Sequence, residues 1–421
     1  MIISDNTVAI FGRRAERLWD STIAPFWLTH AVDHKHGGFH GWITNDLQVD
    51  EQAEKGIILN SRILWTFSRA AVRSDDPRYK EAAERAYQYL TSHFFDEQAG
   101  GVYWTVDYTG KPSDKKKRVY AQAFAIYALT AYFFVNRERD AINQALELFY
   151  LLESHCRDRE HDGYFETFER DWTLATDQRL SEVDQDEKKS MNAHLHILEA
   201  YTALARHTWN EQVRERLHAL VELFISRIVQ TREVRAESGL ETEWYLGMFF
   251  DEQWRVQSDR RSFGHDIEAS WLLTEAGKEI NNQELRARLR EVSLSLARSV
   301  YDRGLDGASL LYEADPRGIV NDEKHWWVQT EAAVGFVNAW ELTNDQRFLW
   351  AAIRVLNFIE NHLVDKEHGE WFWKTSRDGR PARDMPKLSQ WKCPYHNGRM
   401  CFEVAWRFHP STRAWHWRNS D

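Results

Sequence analysis

An all-α fold, an (α/α)6 barrel of six helical hairpins with short β-hairpin-like loops, is what the sequence predicts for residues 1–421 as a single domain. Three observations carry that prediction. The first is a recurring turn, a glycine beside aromatic residues, seen in His36-Gly37-Gly38-Phe39, Gly100-Gly101-Val102-Tyr103-Trp104 and His161-Asp162-Gly163-Tyr164-Phe165. It returns in Asp306-Gly307-Ala308 and His368-Gly369-Glu370-Trp371-Phe372-Trp373. Gly38, Gly101 and Gly163 are spaced by 63 and 62 residues, and Gly307 and Gly369 by 62. The 144 residues from Gly163 to Gly307 hold two units plus roughly twenty extra residues, with a degenerate turn at Trp244 to Phe250. A unit of about sixty residues is the length of two helices and a hairpin. The second observation is helical periodicity between the turns. The third is that no composition shift, proline-rich linker or low-complexity stretch divides the chain. The terminal units are no more polar than the others, which favours a closed ring over an open solenoid.

Taken in order, apolar residues at i, i+3 and i+4 predict helices over Ile57–Val72, Arg118–Val135, Met191–His207, His265–Ala276, Trp327–Leu342 and His396–Phe408. Pro394 sits just ahead of the last, as a helix start permits. Polar groups with chemical potential gather at these starts. The fullest set is Ser262-Phe263-Gly264-His265-Asp266-Ile267-Glu268-Ala269-Ser270-Trp271. On a helix His265, Glu268 and Trp271 recur at i, i+3 and i+6 along one side. A histidine and a glutamate one turn apart share a proton, orient one another or bind a metal; the alternative is a solvated aspartate beside a satisfied core histidine.

A second set is Met191-Asn192-Ala193-His194-Leu195-His196, with Glu199 beyond. Residues two apart on a helix diverge, so His194 and His196 do not converge on a metal and His194 reads as packing. Asn192 and His196 share a face. Trp327 and Glu331, at i and i+4, form a third set, and Trp391 to Arg399 a fourth. There His396 falls in a first helical turn, where the positive end of the dipole favours a neutral base. Arg62 and Tyr120 lie at two earlier helix starts. Singly each also reads as structural; together they would face one mouth of the barrel.

A net charge of −11 excludes a phosphate-backbone binder. No apolar run reaches bilayer length, so no membrane partner is expected. The N-terminal residues lack the charged and apolar regions of a signal peptide, and a cytoplasmic location is the expectation. Three scattered cysteines form neither a disulfide framework nor a zinc pattern. The 20 Trp, 15 Tyr and 22 Phe suit a cleft that stacks on sugar rings.

Asn60-Ser61-Arg62-Ile63-Leu64-Trp65, Met191-Asn192 to Leu198-Glu199, Gly264-His265-Asp266-Ile267-Glu268, Trp326-Trp327-Val328-Gln329 and Pro394-Tyr395-His396-Asn397-Gly398 resemble the cellobiose 2-epimerases. These belong to the N-acylglucosamine 2-epimerase superfamily, with mannose 2-epimerases and aldose–ketose isomerases. The resemblance runs nearly end to end and implies the same (α/α)6 barrel. It implies His265 and His396 as the acid/base pair, with Arg62, Tyr120, Asn192, His196, Glu268, Trp271, Trp327, Glu331 and Trp391 around the substrate. Epimerisation at C2 requires ring opening and removal of a proton α to the aldehyde, so one neutral and one protonated imidazole are expected. Arg62, His196 and Tyr120 would donate to the enediolate oxygens, and Glu268 would fix the His265 tautomer. No metal and no other cofactor is expected. The only partner expected is a small-molecule sugar, on a monomer or weak homo-oligomer.

The segment Gln230 to Gly247 is about ten residues longer than its counterpart in disaccharide epimerases and is charged throughout. Folded over the mouth, it would narrow the space beyond the reducing sugar and favour free mannose and glucose; the alternatives are a surface insertion and a disaccharide substrate. An aldose–ketose isomerase is a further alternative. From other classes stand a glycoside hydrolase, for which Glu268 and Glu331 are the only carboxylate pair to nominate, and a non-catalytic sugar-binding protein.

Overall fold

The computed structural model describes residues 5–408, apart from 138, 237 and 238. Six inner helices run from the mouth inward: α3 (Ile57–Arg73), α5 (Val119–Asn136), α7 (Met191–His207), α9 (Phe263–Lys278), α11 (Trp326–Thr343) and α13 (Tyr395–Phe408). Outer helices α4 (Pro77–His93), α6 (Arg139–Leu151), α8 (Glu211–Leu223), α10 (Gln283–Arg303) and α12 (Gln346–Phe358) each pack on the inner helix before them. The first helix, α1 (Asp5–Leu18), supplies the sixth outer position by packing on α13, and α13 packs back on α3. Pairing the two ends of the chain closes the ring. A short helix, α2 (Ala24–Thr29), completes the set.

The predicted helices agree with the inner ring to within a few residues. Their residues are buried on every side because each faces both the barrel interior and the outer ring. Val119–Asn136 is long and apolar enough to cross a membrane by composition, but here it is an inner wall helix, largely buried. Close approach is needed at Gly335 of α11, where a Cβ would meet Ile267 of α9 at 2.5 Å. Outer helices start on side-chain caps from Asp76, Asn210, Asn282 and Asp345.

The recurring glycine turns carry a device that the glycines alone do not reveal. In four of them an aspartate ahead of the glycine folds the turn with one carboxylate oxygen and takes a buried lysine with the other. Asp33 accepts from the Lys35 and His36 amides and from Lys55 Nζ at 2.7 Å. Asp96 with Lys117, Asp158 with Lys189 and Asp365 with Lys387 repeat it. Asp306 likewise holds Lys324. Burial opposes ionisation of Asp33, but Lys55 and the turn amides outweigh it and hold the carboxyl at about 2. Lys55, Lys117, Lys189 and Lys324 each begin a two-residue strand that leads into an inner helix and pairs with the next unit, as Lys55–Gly56 does with Thr105–Val106. A bridge between Ile43 and Leu388 links the last unit to the first.

A second device sits four residues into the inner helices. Gln122 accepts from the Val102 amide at 2.8 Å and donates to the same residue's carbonyl, and Gln329 does so with Leu310. His194 takes this position in α7: its Nε2 accepts from the Tyr164 amide at 2.9 Å while Nδ1 bonds the Ser190 carbonyl. His194 is therefore a packing residue, as expected from its helical direction.

The unit at Trp244 to Phe250 departs from the others. A long hairpin, Val229–Ala236 with Gly239–Leu246, replaces the tight turn. Arg261 stands where the others have lysine and pairs with Asp266 at 2.6 Å and with Glu243 of the hairpin.

Lys55→Met leaves the buried Asp33 without its ammonium and should lower unfolding stability by about 3–5 kcal/mol in denaturant titration; a loss below 1 kcal/mol would show that the turn amides suffice. His194→Ala should cost about 1–3 kcal/mol by stranding the Tyr164 amide, with turnover unchanged.

Candidate active site

The inner helix starts surround a cavity of about 720 Å³. Arg62, Tyr120, Asn192, His196, His265, Glu268, Trp327, Trp391 and His396 all line it, so nine of the eleven predicted site residues are brought together. Trp271 and Glu331 do not line it. One turn deeper, the Trp271 indole donates to Glu331 at 3.0 Å, and Trp271 borders a separate small cavity behind.

The floor is organised by Arg399, a residue the sequence reading passed over. Its guanidinium is buried between the Tyr395 and Trp271 rings, 4.4 and 4.7 Å from their centroids. Nη1 donates to Glu199, and Nη2 to Glu268 at 2.5 Å and Glu331 at 2.7 Å. The signal was an arginine three residues after His396, one turn along the same helix.

These carboxylates set the imidazoles. Glu331 Oε1 accepts from His396 Nδ1 at 2.7 Å, which leaves Nε2 bare. Glu199 Oε2 does the same for His196 at 3.0 Å. Burial disfavours ionised Glu199, but Arg399 and the donors from His196 and Tyr395 hold it down at about 2. The expectation that Glu268 fixes the His265 tautomer is corrected: Glu268 bonds Arg399, and His265 Nδ1 has no partner. Cross-barrel geometry, not spacing along α9, decides that bond.

The expected protonated partner is corrected as well. Burial, then His196, push His265 down to about 3. Burial, then Arg62 and Arg399, push His396 well below 6.5. His196 is also lowered, by burial above all. Burial favours the neutral form of all three imidazoles. Both His265 and His396 pack against the Trp327 indole, with centroids 4.8 and 5.7 Å away, so they flank one surface. Arg62 donates to the Tyr120 hydroxyl at 2.9 Å and lies near Cys393 Sγ. Among the described residues no carboxylate pairs with Arg62, which leaves its charge for an anionic reaction intermediate.

Glu268, Glu331 and His396 present donor atoms within 4.8 Å of one another, as a metal site would. Both Glu331 oxygens and Glu268 Oε1 already accept hydrogen bonds, from Trp271, His396 and Arg399, and the Arg399 guanidinium places a positive charge beside them.

Toward solvent the cavity is walled by residues from Leu180 to Glu187 on one side and by Tyr312, Glu313, Asn321 and Glu323 on another. The buried Gln178 amide anchors the first wall on the Glu166 and Thr167 amides. The hairpin over Gln230 to Gly247 is not a cover. The Trp244 amide bonds Ser299 of α10 at 2.8 Å and Glu241 pairs with Arg303, so it lies along the outer ring and none of its described residues lines the cavity. The steric basis for favouring a free monosaccharide is gone.

Comparison with known proteins agrees with this geometry. The family model for N-acylglucosamine 2-epimerase (GlcNAc 2-epimerase) matches residues 37–396. A cellobiose 2-epimerase of Bacteroides fragilis is 41% identical over 383 residues, 91% of this chain and 95% of that protein. The solved structure of cellobiose 2-epimerase from Bacillus thermoamylovorans superposes with a TM-score of 0.87 at 38% identity, covering 94% of this chain and 99% of that one. A D-mannose isomerase of Marinomonas mediterranea is more distant, 25% identical over 395 residues, 90% of this chain and 93% of that protein. With its barrel, its ring of imidazoles and this likeness along nearly its whole length, the chain belongs to the N-acylglucosamine 2-epimerase family and is a carbohydrate 2-epimerase, an isomerase.

Proposed function

We propose that the enzyme inverts C2 of the reducing-end glucose of β-1,4-linked disaccharides such as cellobiose and lactose. The observation that carries this is the cavity's continuation outward past His265 and His396, between polar walls, with the Gln230–Gly247 hairpin standing clear. A sugar linked at the far end of the reacting ring has room there. The relatives named cellobiose 2-epimerase support the same reading.

His396 and His265 carry the chemistry in this reading. His396 Nε2, bare because Glu331 takes the Nδ1 proton, accepts the C2 proton of the ring-opened sugar. Arg62 and the Tyr120 hydroxyl hold the enediolate oxygens. His265 delivers to the other face a proton taken up from solvent while His396 passes its own to solvent, and the two histidines exchange roles in the reverse direction. Asn192, His196, Trp327 and Trp391 shape and hold the sugar between them.

A hydrolase is disfavoured by the carboxylates. Glu331 spends both oxygens on protein donors and does not line the cavity, so the Glu268–Glu331 pair does not flank a glycosidic bond.

Incubation in heavy water should place deuterium at C2 of the product, with cellobiose and lactose turned over more efficiently than mannose or glucose. Preference for free mannose would sink the substrate assignment, and fructose as main product would move the enzyme among the isomerases. His265→Asn and His396→Asn should each abolish C2 exchange while still binding glucitol; substantial turnover in either would refute its role. Glu331→Gln should lower kcat by roughly 10²–10⁴, as loss of the correct tautomer does elsewhere. The base must be unprotonated to act, and its pKa lies well below 6.5. The acid limb of kcat/KM should therefore have its midpoint below 6.5, and a midpoint at or above that value would contradict a buried neutral base.

A further inference from the structure

We infer that Glu268 carries the resident proton of this site and meets the sugar as a neutral carboxylic acid, donating a hydrogen bond through the oxygen that Arg399 leaves free. The inference rests on the epimerase reading above and concerns what one of its residues does there.

Charge balance comes first. Glu199, Glu268 and Glu331 converge on Arg399, and Arg62 is the other cation at this end of the cavity. Facing Glu268 are Arg62 from α3, Tyr120 from α5, His196 and Glu199 from α7, Glu331 from α11, and Tyr395, His396 and Arg399 from α13, with His265 on its own helix. The three histidines are all pushed below their ordinary range by burial, so none adds a positive charge. Arg399 is the cation that bonds all three carboxyls, and Arg62 pairs with none of them among the described residues. A third ionised carboxylate is strongly unfavourable, so one carboxyl keeps its proton.

Hydrogen-bond donors decide which one. Glu331 accepts from Trp271 Nε1, His396 Nδ1 and Arg399 Nη2. Glu199 accepts from His196 Nδ1, the Tyr395 hydroxyl and Arg399 Nη1. For Glu268 the bond is from Arg399 Nη2 to Oε1, and the side chain lines the cavity. The carboxyl with the fewest donors to its anion is the one that stays protonated. Burial, and then the neighbouring Glu331, push Glu268 up to about 8, in line with a neutral acid at pH 7. Such an acid supplies what His396 and His196 do not, because each spends its Nδ1 proton on a glutamate and faces the sugar with an acceptor.

Infrared difference spectra of the sugar-free enzyme across the neutral to alkaline range test the proton directly. The wild type should show a carboxylic-acid carbonyl band that disappears with a midpoint near 8. Glu268→Gln should remove the Glu268 component of this band, and Glu331→Gln should keep that component but move its midpoint down, because charge balance then favours ionised Glu268. No band in the wild type, or loss of that component in Glu331→Gln, overturns the inference. Glu166, buried and likewise pushed up to about 8, gives a band of its own, so the Glu268 band is the component that Glu268→Gln removes and Glu166→Gln keeps; loss of the whole band in Glu166→Gln overturns the inference. In assays, Glu268→Gln mimics the neutral acid and should keep C2 exchange within about tenfold of wild type while losing the alkaline limb, whereas Glu268→Ala should fall by roughly 10²–10³. A folded Glu268→Gln variant as inactive as Glu268→Ala overturns the donor role. Because the spectra need no sugar, failure to epimerise any sugar would count against the proposed function alone.

Discussion

One buried guanidinium holds the floor of this barrel together. Arg399 ties α13 to α7, α9 and α11 through Glu199, Glu331 and Glu268, and the aromatic rings of Tyr395 and Trp271 enclose it. Such a cluster is weak evidence for stability, since each charge costs free energy to desolvate. Its return is in orientation. Glu199 and Glu331, held by Arg399, fix which nitrogen of His196 and His396 carries the proton. Removing Arg399 would leave three buried carboxylates with a single remaining cation near them, and the tautomers would lose their reference.

The rim does for the backbone what the floor does for the side chains. Four inner helices start from a strand whose lysine is buried against a turn aspartate; Lys387 makes the same contact ahead of α13, and Arg261 pairs with Asp266 at the start of α9. Gln122, His194 and Gln329 then tie the helix start to the hairpin before it. Tyr120, His265 and His396 all stand within the first turn of such a helix. Their positions are therefore set by a repeated, regular element, while the loops toward solvent are free to differ.

That division explains what was legible in the sequence. The glycine-aromatic turns and the apolar periodicity exposed the ring and its helix boundaries, because both are local signals repeated at nearly constant spacing. The placing of nine site residues in one cavity followed from their positions near helix starts. What escaped was the partner of each. Arg399 meets Glu199, 200 residues away, and Glu268, 131 residues away, and nothing local predicts those pairings. Glu268 was expected to serve His265, three residues before it, but the guanidinium across the barrel offers a stronger, charge-assisted bond. The hairpin at Gln230 to Gly247 was expected over the mouth because its charges suit a surface loop. Those same charges pair with Arg303 and Arg261 and hold it against the outer ring. The wall at Leu180 to Glu187 has no periodicity to betray it.

The barrel itself does not choose the reaction. An (α/α)6 ring gathers the ends of six helices around one hollow, and glycoside hydrolases and epimerases both use it, so the choice rests with the side chains at the floor. Here Arg399 draws the carboxylates down. Glu331 is spent below the cavity and Glu199 behind it, and Glu268 is left at the surface with a single donor. Beside it the imidazoles facing the sugar are kept neutral by burial and by the nearby Arg62 and Arg399. A neutral imidazole is matched to lifting a carbon-bound proton, and an unpaired Arg62 to the oxyanion that results.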